Sequence, residues 1–441
     1  VTAEPGSSTL LDVDLVTAQA WAALGGRPDV TVAHRTAGNV LDARLPVRDM
    51  ARATVGVCAL AAAELAARRN KTAIPPVTVD EAAVATAFVS ERHLRIEGRT
   101  GATFAPLSGF WRTADGWVRT HANYPHHRTR LLDALGVTAD AFEGELATRR
   151  ALEVQETVYE AGGLAVAVRP EPDPTRRTLV EATRTDTASR TLPPASRPAG
   201  GVRVLDLTRV IAGPVATRTL AFLGADVLRV DPPHLPEDPD IHADTGLGKR
   251  STLLDLTDRH DRQAFDDLLD RADVVVTGYR PGALDRHGLA PAALHARRPD
   301  LVIAQLSAWG HTGDWADRRG FDSLVQAATG IAAVEGADGV PGVLPAQALD
   351  HGTGYLLAAA VLRALTEGRG HHVRLSLAGT ASWLLHDIDP SPAEGDYDPA
   401  PWLVETPSPH GTLRHARPPF SDRETWTDPP SRWGADEPRW R

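Results

Sequence analysis

Two aspartates and one adjacent pair of cations mark out the chemistry open to this chain. Asp322 stands in RRGFDSLVQAATG, directly ahead of a helix-like run. An aspartate there is a favoured helix N-cap. Its carboxylate is also ionised at neutral pH and competent as a covalent carrier. Asp350 lies 28 residues downstream and opens DHGTGYLLAAAVLRALTEGRG, where it too reads as an N-cap. Lys249 and Arg250 are neighbours in GLGKRST. Such a pair suits phosphate by charge, with arginine adding a fork of donors, and it also fits a solvated basic turn. Lys71 and Lys249 are the only lysines, which favours a specific role for Lys249. The histidine pairs His126–His127 and His371–His372 are adjacent rather than spaced i,i+4, so neither pair puts two ligands on one helix face. These four, with His287 and His311, are expected to be surface or polar-contact residues, and no metal is expected.

The elements that must position these groups are legible as alternation. Within residues 202–330 the runs VRVLDL, ADVLRV, ADVVVTGY and LVIAQLS are short and β-rich, with helix-length segments between them. That pattern implies a parallel sheet with covering helices, whose chemistry lies at the loops after the strands. No G-x-G-x-x-G follows the first strand, so the loop is not a dinucleotide fingerprint.

Six motifs in series carry a resemblance: LDLTRVIAGP, LGADVLRVDPP, GKRSTLLDL, RPGALDRHGL, SAWGHTG and GFDSLVQAATG. Together they resemble the family III CoA-transferases, the formyl-CoA and carnitine-CoA transferase group that also includes acyl-CoA racemases. The resemblance implies an α/β fold, a Rossmann-like large domain with a smaller α+β domain. It implies transfer of CoA between an acyl-CoA and a carboxylic acid through a covalent aspartyl intermediate on Asp322. It places Val210, Ile211 and Ala212 against CoA, Lys249, Arg250 and Arg286 near its phosphates, and Tyr279 beside the adenine. Arg286 also fits a surface ion pair with Asp285, and Tyr279 an ordinary strand aromatic. Gly98 and Gly101, in GRTG, correspond to a mobile glycine loop in the family, or form a surface turn. Asp350 stands near the aspartate that pairs with a histidine in the racemases. Here the residue before Asp322 is Phe321, which cannot exchange a proton, so transferase is favoured over racemase or isomerase. A third reading is a protein that binds an acyl-CoA or a partner without turnover. Asp314 replaces a proline of the family pattern and adds a charge near Asp322.

The segment order departs from that family. The DGW segment at 115–117 precedes the nucleotide-binding half instead of following it. The reading is a small-domain-like part with a partial large-domain helix at 1–170, a Pro-, Thr- and Arg-rich linker at 171–200, a CoA-binding large domain at 201–386, and an extended C-terminal arm at 387–441. The runs beginning at Asp49 and Asp350 echo each other, an Ala/Leu helix followed by a Val-rich strand. One complete site would then need both parts, within the chain or across an intertwined homodimer.

The 441 residues carry a net charge of −10, which argues against a nucleic-acid surface. A single Cys58 excludes an internal disulfide and any multi-cysteine metal site. The basic residues are almost all arginine, as in a GC-rich bacterial genome. No secretory pattern opens the chain. The longest apolar helix candidate runs over 355–365, too short to span a bilayer. A cytoplasmic location and no membrane partner are expected.

Overall fold

The Val- and Leu-rich runs become buried strands because each is covered on both faces. In a computed structural model, residues 14–101, 104–186, 190–393, 395–421 and 423–441 are described. A seven-stranded sheet contains β1 (Glu181–Arg184), β2 (Arg203–Leu207), β3 (Asp226–Asp231), β4 (Arg250–Leu253), β5 (Val274–Thr277), β6 (Val302–Ser307) and β7 (His371–Ser376). Their spatial order is β4-β3-β2-β5-β6-β7-β1. All are parallel except β1, which closes the edge antiparallel to β7. The chain winds outward from β2 to β4, then restarts at β5 on the other side of β2. A crevice must therefore open at the carboxyl ends of β2 and β5. This is the expected Rossmann-like parallel sheet.

Five helices matter for the site: α1 (Val47–Asn70), α2 (Ala212–Phe222), α3 (Asp322–Ala328), α4 (Ala348–Glu367) and α5 (Leu377–His386). Every residue of α4 from Ala348 through Thr366 is buried. A helix apolar on all sides needs cover on all sides, and α4 receives it from α1, α2 and the sheet. The early part of the chain thus supplies part of the large core. The sequence reading placed the longest apolar helix at 355–365; α1, with 24 residues, is longer and apolar enough to cross a membrane by length and composition. Its Arg48, Asp49 and Arg52 obscure that in the sequence, and 78% of its apolar window is buried inside the protein.

The internal echo has a structural counterpart. Strand Val32–Arg35 pairs in parallel with Val77–Asp80, as β6 pairs with β7. Helices α1 and α4 pack together, and each carries an aspartate at its third position, Asp49 and Asp350. Asp49 is neutralised within a buried ion cluster, where Arg52 pairs with Asp49, Asp14 and Glu81.

A second, three-stranded antiparallel sheet comprises Phe110–Thr113, Gly116–Thr120 and Ala165–Ala167. It has its own apolar core, including Val118, Leu131, Phe142 and Val154, and it packs on α3. The segment 171–200 contributes β1 and is tied to the end of α3: Asp173 N–H donates to Thr329 O at 2.9 Å. Residues 387–441, apart from the positions outside the description, wrap the large domain. Strands Leu403–Ser408 and Gly411–Ala416 extend a small sheet begun by Arg95–Ile96. Trp426 and Trp440 are buried, and their indole N–H groups donate to Arg218 O at 2.7 Å and Leu268 O at 3.0 Å. Such anchoring matches the need of a buried indole for an acceptor.

Candidate active site

The loop after β2 is held in a costly shape. Val210 has φ 69°, a rare backbone region for a β-branched residue. Its N–H donates to Glu237 Oε2 at 3.2 Å, and Glu237 accepts in turn from Arg229 at 3.0 Å. Arg209 donates to Leu235 O at 2.5 Å. Ile211 caps α2 and Ala212 is its first residue. Tyr279 follows β5 on the neighbouring strand, half-buried, its phenol pushed up to about 12 by burial. Val210, Ile211, Ala212 and Tyr279 therefore come together at the switch point.

The basic residues expected near phosphate are placed differently. Lys249 is buried: its ammonium donates to Asp206 Oδ2 at 3.0 Å and to Thr217 Oγ1 at 2.9 Å. Burial pulls it down to about 8 against the opposing pull of Asp206. An ammonium sealed beneath the loop presents no donor to a phosphate, which corrects the expectation for Lys249. Arg250 begins β4 and donates to Asp226 Oδ1 at 2.9 Å and to Arg439 O at 2.5 Å. It lines a cleft of about 230 Å³ at the amino ends of β3 and β4, the end of the sheet opposite the switch point. The expected grouping of Arg250 with Val210 and Tyr279 is corrected for that reason. Arg286 is exposed on a single turn, its Nε donating to His287 at 3.0 Å.

Asp322 is fully buried, and it is the first residue of α3; Phe321, not Asp322, holds the N-cap position. Gly320 is required just before it, since a Cβ there would lie 2.5 Å from the Ala308 Cβ. The Asp322 carboxylate meets three donors. The backbone N–H of Asp350 reaches Oδ2 at 2.9 Å, Leu349 N–H adds to it, and the Gln326 amide donates to Oδ1. Gln326 is itself oriented by Leu344 N–H, which donates to Oε1 at 3.0 Å. The backbone donors belong to the first turn of the 20-residue α4. A long helix presents free N–H groups and partial positive charge at that end. Burial nonetheless wins, and pushes Asp322 up to about 6 while those hydrogen bonds pull it down. Asp350 is raised further, by burial first, then by the charges of Asp322 and Glu91. The structure thus brings the two predicted carboxylates together. Asp314 is exposed, where solvent screens its charge.

The front of the site comes from residues that sequence reasoning missed. Alternation along Gly116–Thr120 sends Val118 into the small core and leaves Arg119 and then His121 on the opposite face. His121 is buried, and its ring stacks on Phe321 at 3.8 Å with planes 3° apart. Burial, then the charge of Arg119, pushes His121 down to about 3, so it is neutral. Arg119 is also buried and has no ion-pair partner among the described residues. Burial lowers it to about 10, with Asp322 pulling the other way. Tyr124 hydroxyl donates to Glu237 Oε1 at 2.8 Å, linking this segment to the loop at Val210. His127, expected as a surface or polar-contact residue, is buried and packed against the rings of Tyr124 and His121, because the helix Pro125–Leu135 turns it inward. His371 is buried in the central sheet and makes polar contacts of the expected kind, with Glu367 at 3.2 Å and Arg369 O at 2.9 Å. Gly98 forms, with Glu97, the tight two-residue turn of a hairpin, both at positive φ. Gly101 packs beside Leu94. The GRTG stretch is therefore a hairpin rather than a run of glycines.

The family model described as CoA-transferase family III matches residues 200–391. That segment, which holds the switch-point loop, Asp322 and Asp350, is the part of the chain that is similar to CoA-transferase family III. The chain is 35% identical over 207 residues to a probable fatty acyl-CoA transferase of Mycobacterium tuberculosis, covering 44% of this chain and 52% of that protein. It is 31% identical over 218 residues to the succinate–glutarate CoA-transferase of Agrobacterium fabrum, covering 44% and 54%. It thus spans about half the length of the curated relatives it matches. A crystal structure of the Mycobacterium tuberculosis protein aligns with a TM-score of 0.40 at 35% identity, over 43% of this chain and 56% of that one.

Proposed function

We propose that this chain is a CoA-transferase that moves CoA between an acyl-CoA and a carboxylic acid through Asp322. The observation that carries the reading is the state of the Asp322 carboxylate: desolvated, raised to about 6, yet held by N–H donors at the start of α4. A carboxylate in that setting is ionised at neutral pH, while its lost hydration leaves it reactive.

The steps balance without an added base. The Asp322 carboxylate oxygen attacks the donor thioester carbonyl, forming a C–O bond and breaking the C–S bond. CoA thiolate leaves, and a mixed anhydride remains. The thiolate attacks the aspartyl carbonyl, expels the donor acid as carboxylate and leaves an aspartyl-CoA thioester. The acceptor carboxylate then attacks that thioester carbonyl and expels thiolate. The thiolate finally attacks the acceptor carbonyl, restoring Asp322 as carboxylate. Helix α4's first N–H groups hold the aspartyl oxygen as charge moves across it. The small sheet and His121 cover the site from water, which would otherwise hydrolyse the anhydride.

Val210, Ile211, Ala212, Tyr279 and the exposed Arg286 are the CoA-facing residues in this reading, at the crevice between β2 and β5. The site draws on both the 1–170 part and the 201–386 part, which share one apolar core. The reading extends to an intertwined homodimer in the cytoplasm, and that extension rests on the resemblance of residues 200–391 alone. Trapping an aspartyl intermediate with hydroxylamine tests the reading directly, and a chain that transfers CoA without such an adduct would overturn it.

A further inference from the structure

Among the described residues, Arg119 is a buried cation without a counter-ion. The residue is only 6% exposed. Its guanidinium lies over Phe110 at 4.8 Å and Phe104 at 5.2 Å. Its Nε has no hydrogen-bond partner, and neither does the buried Nδ1 of His121 or of His127. Stacking on two rings recovers part of the hydration an arginine loses, but a charge taken from water normally acquires a paired anion.

Asp322 is not that anion. No ion pair within 4 Å joins it to Arg119 among the described residues, and its oxygens are occupied by Asp350 N–H and Gln326. A direct pair would also lower the carboxylate and blunt it as a nucleophile. Phe104 is 43% exposed and meets His121 edge-on at 6.4 Å, while His121 covers Phe321. Arg119 and His121 thus form a cationic and donor-bearing wall between solvent and the reacting carboxylate.

We propose that Arg119, flanked by His121, anchors a second, non-reacting carboxylate of the substrate, so that the acid handled at Asp322 is a dicarboxylic acid. This rests on the transferase reading above. The reacting carboxylate loses its charge whenever an anhydride or thioester forms, which would leave Arg119 unpaired in the intermediates. A remote carboxylate keeps its charge through every step and compensates the guanidinium throughout. A monocarboxylic acid of the same length leaves Arg119 buried and unpaired, the kind of penalty that discriminates strongly between substrates.

The test measures binding and transfer separately, with the full chain and its Arg119→Gln and Arg119→Lys variants. Calorimetry reads succinate and butyrate binding, and a CoA-transfer assay from acetyl-CoA uses the same two acids as acceptors. The proposal expects succinate to bind ~10- to 100-fold more tightly to the native chain than to Arg119→Gln, the range of a hydrogen bond to a charged group. Butyrate should bind weakly and equally to both, and Arg119→Lys should restore part of the difference. It expects KM for succinate to rise in Arg119→Gln with little change in kcat. Equal succinate affinity in native and Gln chains, or a native preference for butyrate, overturns the anchor. Should Arg119→Gln fail to fold, the native preference between the two acids decides. Succinate binding that depends on Arg119 without any CoA transfer would leave the anchor standing and overturn the transferase reading instead.

Discussion

The carboxylate of Asp322 accepts the backbone N–H of Asp350 across 2.9 Å, while the side chain of Asp350 lies buried beside it. One residue thus gives the first aspartate a hydrogen bond from its main chain, while its own carboxyl takes up the repulsion of the Asp322 charge. The backbone hydrogen bond pulls Asp322 down, whereas burial first, and then the charges of Asp322 and Glu91, hold Asp350 well above the ordinary carboxylate range.

Asp322→Asn should abolish transfer by several orders of magnitude without loss of fold, since a covalent nucleophile is removed. The stability effect has a definite sign. The folded state raises Asp322 from 3.8 to about 6, so between those values the folded chain binds more protons than the unfolded one. Stability contributed by this group is therefore lost as pH rises through that window. Thermal melts should show the Asn variant at least as stable as the native chain at pH 8, with the advantage shrinking as pH falls from 6 to 4. A variant that melts well below the native chain at pH 8 would mean that the charge is stabilising.

The pH dependence of transfer should follow the ionisation of Asp322. Activity should rise with pH, with an apparent midpoint near 6 that belongs to the pair of carboxylates. Asp322 ionises first while Asp350 is still neutral. Asp350→Asn should therefore leave the midpoint close to its native value, as read from kcat against pH. A midpoint that falls clearly in that variant would show that Asp350 is charged first.

Lys249 is a structural lysine. Lys249→Met removes the ammonium that pairs directly with buried Asp206. Removing one member of such a pair costs about 3–5 kcal/mol. Urea unfolding should show that loss, while CoA affinity of the folded fraction changes little. Intact stability together with weakened CoA binding would return Lys249 to the phosphate site.

The parallel sheet and the aspartate pair were legible in the sequence because both are local. Strands β2, β3, β5 and β6 are short apolar runs, and GFD with a following helix marks Asp322. The failures are long-range. Asp206 and Thr217, which hold Lys249, sit in segments that read only as a strand and a helix. Arg119 and His121 lie about 200 residues before Asp322. Only the packing of one small strand on α3 shows that they share a site. Helix α1 is hidden in the sequence because Arg48, Asp49 and Arg52 break its apolar run, although the ion cluster around Arg52 lets it be buried.

Residues 195–441 expressed alone should be insoluble or aggregated. They include α4 but not α1, so a helix apolar on every face would lose one of its covers. Co-expression of residues 1–194 should restore a soluble complex, read by light scattering. A soluble, active 195–441 fragment would show that the early part is not needed to complete the core.

The most direct measurement is the chemical state of Asp322 during turnover. The full chain is incubated with an acyl-CoA and quenched with hydroxylamine, which attacks an aspartyl thioester or anhydride and leaves an aspartyl hydroxamate. Intact mass and peptide mapping then locate it. A hydroxamate confined to the peptide bearing Asp322, dependent on acyl-CoA and missing from Asp322→Asn, is the predicted result. CoA transfer with no hydroxamate, or with the hydroxamate on another carboxylate, would contradict the account.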